Sequence, residues 1–112
     1  MTPTARTLKQ LREEGVEADV VERYQHRSRK RHDLFGMFDI LYLDCLMGRI
    51  VAVQCTSASN HSARRKKLLA EPRLQQWLAC NGGAEVWSWR KHTKAVEGRW
   101  WRARIEPIEA TP

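Results

Sequence analysis

Two apolar runs lie back to back in this chain: FDILYLD, residues 38 to 44, and IVAVQCT, residues 50 to 56. Both are rich in β-formers. In the first, Phe38, Ile40 and Tyr42 point one way and Leu41 and Leu43 the other, because side chains alternate along a strand. Strands apolar on both faces belong to a sheet covered on both sides. The segment between them, LMGR (46 to 49), centres on Gly48 and predicts a tight hairpin turn. A chain of 112 residues holds one domain with one modest core. This hairpin is therefore expected at the centre of a single domain over residues 1–112.

The flanking segments supply the covering layers. Thr2-Pro3 opens a helix that carries Ala5, Leu8 and Leu11 on one face, and Gly15 ends it. VEADVVER (16 to 23) alternates as a strand, with Val16, Ala18 and Val20 on one side. The basic stretch 23 to 32 has no periodicity and reads as a loop. Asn60 is placed to cap a helix carrying ARRKK, residues 63 to 67. Pro72 interrupts or kinks that helix, and RLQQWLAC (73 to 80) continues it with Leu74, Trp77 and Leu78 at helical spacing. Asn81-Gly82-Gly83 stops it. AEVWSWR (84 to 90) is a further strand, and RWWRARIEPI (99 to 108) a last one at an edge, given its charges and Pro107. The order implies an α/β fold with a mixed central sheet and helices on its faces.

Charge narrows the partner. The chain carries 20 Lys+Arg against 13 Asp+Glu, a net +7. RYQHRSRKRH (23 to 32) holds Arg23, Arg27, Arg29, Lys30 and Arg31, and ARRKK holds Arg64, Arg65, Lys66 and Lys67. Clustered cations favour a polyanion, nucleic acid first; the alternative is a solvated basic surface. No apolar run approaches the roughly 20 residues of a membrane helix. The N-terminus lacks an apolar signal core, so a cytoplasmic protein is expected. Cys45, Cys55 and Cys80 sit in apolar stretches and are expected as reduced core thiols. Zinc-ligand spacing is absent.

The polar residues inside the apolar strands carry the chemistry. Gln54 and Thr56 share one strand face. If the strands pair around Gly48, Asp39 meets them at one end of the buried hairpin. A carboxylate there is costly unless it has a partner, and a divalent cation is one. Mg²⁺ (or Mn²⁺) suits a site made of one or two carboxylates, waters and phosphate oxygens. It would activate a water and stabilise charge on a phosphodiester.

This arrangement resembles the PD-(D/E)XK nuclease superfamily, which includes Holliday-junction resolvases and restriction-type endonucleases. Phe38-Asp39 stands at the "PD" position and Gln54-Cys55-Thr56 at the "(D/E)XK" position. DLFG, residues 33 to 36, is similar to the glycine-containing approach of several members. By element order the likeness runs over residues ~4 to 90. It implies a restriction-endonuclease-like fold (α-β-β-β-α-β plus a C-terminal edge strand) and a small Mg²⁺-dependent endodeoxyribonuclease. Two residues depart from the pattern. Gln54 replaces an acid, as in Mrr-like enzymes, and Thr56 replaces the Lys. The likeness then implies Asp39, Gln54 and Glu22 as metal ligands, Thr56 at the catalytic position, and Lys67 (or Lys66) reaching back for the missing charge. Arg27, Arg29, Lys30, Arg31, Arg64, Arg65, Lys66 and Lys67 would hold DNA phosphates. A homodimer is expected by analogy alone.

Each residue also has a plainer reading. Asp39 could cap the loop before its strand, and Gln54 could be satisfied by backbone. Thr56 and Ser57 could cap a helix, Glu22 could pair with a nearby arginine, and Lys67 could be solvated. Asp33 reads as a turn residue. His26, His32 and His92 read as surface residues, while His61 lies near the expected site. Trp77, Trp87 and Trp89 read as core. Trp100 and Trp101 point to opposite faces, so one of them is expected to be exposed or at an interface. The rival in function is a catalytically inactive nucleic-acid-binding module on the same fold.

Overall fold

The computed structural model describes residues 1–110; the side chains of Gln25 and Arg31 also lie outside the described residues. Helix α1 spans Pro3–Glu13. The Thr2 hydroxyl accepts from the Ala5 amide at 3.1 Å, and Pro3 occupies the first turn, where its missing N–H costs nothing. At its other end Gly15 adopts φ +78°. Its amide bonds to the Arg12 carbonyl while Val16 bonds to Leu11, the paired closure of a Schellman motif.

Among the described residues seven strands follow: β1 (Ala18–Val20), β2 (Arg23–Gln25), β3 (Lys30–His32), β4 (Ile40–Asp44), β5 (Arg49–Ser57), β6 (Gly83–Val96) and β7 (Arg99–Ile108). Helices α2 (His61–Ala70) and α3 (Pro72–Ala79) lie between β5 and β6. Five strands form one mixed sheet in the order β1-β4-β5-β6-β7. All neighbours are antiparallel except β5 and β6, which run parallel across the α2–α3 connection. Such a connection is what parallel pairing requires, because no tight turn can join parallel strands.

The sheet is covered on both faces. On one, Leu11 of α1 packs with Ala18, Ile40, Val53, Cys55, Trp87 and Trp89. On the other, Leu68 and Leu74 from α2 and α3 pack with Met37, Phe38, Ala52, Ala84, Val86 and Ile108. Val53 and Cys55 thus face α1, and Ala52, Gln54 and Thr56 face α2 and α3.

Several expectations are corrected. The basic segment 23–32 is not a loop but a small two-stranded antiparallel sheet, β2–β3. The first strand is confined to Ala18–Val20, and β6 runs to Val96 rather than Arg90. Phe38 does not share a face with Ile40. It precedes β4, bridges to Leu34, and packs toward Trp77 on the α3 side at 5.7 Å between ring centres. The central hairpin is buried only at one end: Leu43, Leu46 and Ile50, around its turn, are exposed. Asn60 makes no side-chain cap, and Ser57 bonds to the Ser59 hydroxyl instead of capping. Cys45 and Cys80 are exposed; Cys55 alone of the three cysteines is buried, and burial pushes its thiol up to about 12. Among the described residues no helix is long and apolar enough to cross a membrane.

Candidate metal centre

Asp39 stands one residue before β4 and is fixed by its backbone. Its amide donates to the Val53 carbonyl, and its own carbonyl accepts from the Val21 amide, each at 2.8 Å. The regular ladder ends at Ile40↔Val53, and Asp39 sits at a bend just before it, its amide held by Val53 and its side chain beside Gln54. Their side chains meet on the α2–α3 face. The Asp39 Oδ2 accepts from the Cys55 amide at 2.8 Å and lies 3.4 Å from the Gln54 Nε2. Asp39 is 5% exposed and Gln54 7%.

Two more carboxylates close on this point. Single oxygens of Glu22, Asp33 and Asp39 all lie within 4.8 Å of one another. Glu22 lies in the short link between β1 and β2, immediately before Arg23. Asp33 arrives through a tight fold-back: its carbonyl accepts from the Gly36 amide at 3.0 Å, Phe35 and Gly36 take φ +55° and +70°, and Leu34 and Phe38 bond to each other. Asp33 is thus a turn residue by its backbone and a member of the cluster by its side chain.

Burial pushes the Asp39 carboxyl up to about 7. The charges of Asp33 and Glu22, and a hydrogen bond shared with the Asp33 carboxyl, add to this, while the Cys55 amide works against it. A proton and a cation are alternative ways to neutralise such a group. Three hard oxygen donors plus an adjacent amide form a donor set suited to Mg²⁺ or Mn²⁺.

The cluster borders a groove of about 1260 Å³ whose lining includes Glu22, Asp33, Tyr24, His32, Lys67 and Arg73. Lys67 of α2 therefore stands on the same groove as two of the acids. Thr56 is buried two residues beyond Gln54 on the same face, opposite Ser88. Arg64 and Lys66 are exposed on α2, but Arg65 is engaged, its Nε donating to the Glu106 carboxylate. Arg27, Arg29 and Lys30 are exposed in and beside the β2–β3 turn, where Arg29 has φ +54°. The Arg31 side chain lies outside the described residues.

Two features escaped the sequence reading. One is Asp33, whose DLFG turn was visible but whose side-chain direction depends on the fold-back. The other is a buried network at the start of α2. His61, 2% exposed, places Nδ1 at 2.6 Å from the Ser88 hydroxyl and Nε2 at 2.8 Å from Glu106. Bonds to His61 and Arg65 hold the Glu106 carboxyl below its usual range. Ser88 is 1% exposed, which denies its hydroxyl to any substrate; the group is a clamp tying α2 to β6 and β7. The tryptophans follow the pattern more closely. Trp87 and Trp89 pack against α1, the latter bonding to the Thr7 hydroxyl at 2.9 Å. Trp100 is exposed, and Trp101 lies under the Arg6 guanidinium at 3.8 Å.

No family model, no curated protein and no solved structure matches this chain.

Proposed function

We propose that this protein is a small metal-dependent nuclease acting on DNA. The observation that carries the reading is the buried Asp39 carboxyl, with Glu22 and Asp33 within 4.8 Å and Gln54 beside it, at the rim of a groove that Lys67 also lines. Fold order lends support. A leading helix, three antiparallel strands (β1, β4, β5), a helical connection and a strand parallel to the third accord with the restriction-endonuclease-like plan.

Asp39, Glu22 and Asp33 would hold Mg²⁺ or Mn²⁺ through carboxylate oxygens. Gln54 would join them once its amide turns to present the carbonyl, since its nitrogen now faces Asp39. The ion would supply a water of lowered pKa and charge stabilisation at the phosphodiester. Lys67, on a flexible stem from α2, would neutralise a phosphate oxygen in the groove, the part Thr56 cannot play. Asp39 must shed its proton to serve as a ligand, so binding at or below neutral pH releases protons.

The second reading, a nucleic-acid-binding module without hydrolysis, is favoured by the Gln54 and Thr56 replacements. Incubation of branched, nicked and linear DNA with Mn²⁺ separates the two. Cleavage by the wild type that Asp39→Ala abolishes supports the nuclease. DNA binding without cleavage, and without Mn²⁺ binding by calorimetry, supports the module and overturns the nuclease.

A further inference from the structure

The face of the sheet that carries Asp39 and Gln54 continues across β6 to β7, and its far corner is strongly basic. Register places Gln54 beside Val86 and Val86 opposite Glu106; one step on, Thr56 lies beside Ser88 and Ser88 opposite Arg104; a further step sets Arg90 opposite Arg102. Ser88 and Glu106 both bond to His61 of α2, which identifies this as the α2 face. Side chains directly opposite in a ladder, and those two residues apart, share a face. Arg90, Arg102 and Arg104 therefore stand together on it, all exposed.

Like charges directly opposite in an antiparallel pair oppose folding, and Arg90 and Arg102 are such a pair. Glu106, the acid on the same face of β7, is already held by His61 and Arg65, and Arg104 reaches it only at 3.9 Å. The hairpin's other face is braced on α1: Trp89 bonds to Thr7, Arg6 covers Trp101, and Arg99 pairs with Glu13 at 3.2 Å. A rigid backing with three solvent-facing guanidiniums opposite it suits a surface built to hold something anionic.

We infer that Arg90, Arg102 and Arg104 form a phosphate-binding arm that grips the nucleic acid away from the acidic cluster. Guanidiniums are suited to phosphate oxygens, with which they make bidentate bonds. Strands are spaced at ~4.8 Å and rows of one face at ~6.7 Å, so the arm's backbone lies roughly 15–20 Å from Asp39 across the sheet. That span matches about five base pairs of duplex at ~3.4 Å each. The arm rests on the nucleic-acid part of the proposed function and not on hydrolysis.

The test is fluorescence anisotropy of a labelled 20-base-pair duplex in EDTA, across a salt series, which keeps binding separate from cleavage. Compared with wild type, R90A/R102A/R104A should bind at least tenfold more weakly at 0.1 M salt. Its slope of log affinity against log salt should be shallower by nearly 3, at about 0.9 per lost phosphate contact. R90K/R102K/R104K, which keeps the charges, should retain most of that slope, and all three proteins should melt alike or the alanine variant higher. Unchanged affinity and slope in the alanine variant overturn the arm while leaving the metal site standing. A wild type that binds no duplex, or that binds phosphatidylserine vesicles in preference to it, also overturns the arm. Binding with the expected slopes but no cleavage in Mn²⁺ leaves the arm standing and sinks the nuclease alone.

Discussion

One face of the sheet carries like charges at two corners, and the two corners relieve them differently. At the β1–β4 corner, Glu22, Asp33 and Asp39 crowd within 4.8 Å, and Asp39 is buried. At the β6–β7 corner, Arg90 stands opposite Arg102 with Arg104 two residues along, and all three lie in solvent. A carboxylate can take up a proton, and Asp39 does so readily, with its carboxyl pushed up to about 7. Arginine cannot lose its proton in a protein. The acidic corner can therefore be buried with a proton neutralising its charge, whereas the basic corner must stay hydrated. Between them, His61 ties α2 to β6 and β7 through Ser88 and Glu106.

The largest effect is expected from removing the acid that anchors the first corner. Asp39→Ala should lower Mn²⁺-dependent DNA cleavage by at least on the order of 100-fold and weaken Mn²⁺ binding measured by calorimetry. It should leave duplex binding in EDTA nearly unchanged, because the arm is separate. Parallel loss of binding would mean the corners are not independent.

Next comes the proton itself. A carboxyl of raised folded pKa holds a proton that the unfolded chain releases above about 3.8, so the native state binds more protons between about pH 4 and 7. Stability contributed by Asp39 is therefore greatest at low pH, falls as pH rises through that window, and levels off above it. The slope from one such group is at most about 1.4 kcal/mol per pH unit. Urea unfolding at pH 5, 6, 7 and 8 should show the decline in wild type and a flatter profile in Asp39→Asn. Matching profiles would show that Asp39 keeps no extra proton on folding.

The clamp is sharpened by His61→Ala. It strands the buried Ser88 hydroxyl and leaves Glu106 to Arg65 and Arg104, at a cost of roughly 2 kcal/mol. Chemical denaturation measures that loss. A neutral result would show that these bonds add nothing to the stability of the fold.

Gln54→Glu adds a fourth acid to the first corner. Without divalent ions it should lower Tm by a few degrees, consistent with a cost of about 1 kcal/mol. With Mn²⁺ it should bind the ion more tightly than wild type. A variant that is destabilised yet gains no affinity for Mn²⁺ would show that position 54 does not reach the ion. Arg102→Gln, the smallest change, removes the repulsion opposite Arg90 and should raise stability by up to about 0.5 kcal/mol at low salt, an increment that fades as salt rises.

Much of the frame was legible because it follows from local rules. The hairpin of β4 and β5, the apolar faces of α1 and α3, the break at Pro72 and the covered strand at Trp87 and Trp89 all follow from periodicity and turn chemistry. The approach of Asp39 to Gln54 was partly legible, since the hairpin around Gly48 brings their segments together, while the bend that turns Asp39 toward Val53 was not. The basic stretch misled because the alternation in its short strands, β2 and β3, is carried by polar residues, which a hydrophobic pattern cannot register.

By itself, then, the sequence determined the two-sided apolar strands, the helices that cover them, and the placement of polar groups at one end of the central hairpin. These depend on side-chain alternation and helical spacing, which act over a few residues. The tertiary structure alone decided that Asp33 folds back beside Asp39, that Glu106 and Ser88 meet on His61, and that Arg90 lies opposite Arg102. Those neighbours come from different strands and loops, and only sheet register and loop closure bring them within reach. No short-range pattern encodes a distance between residues 61 and 106.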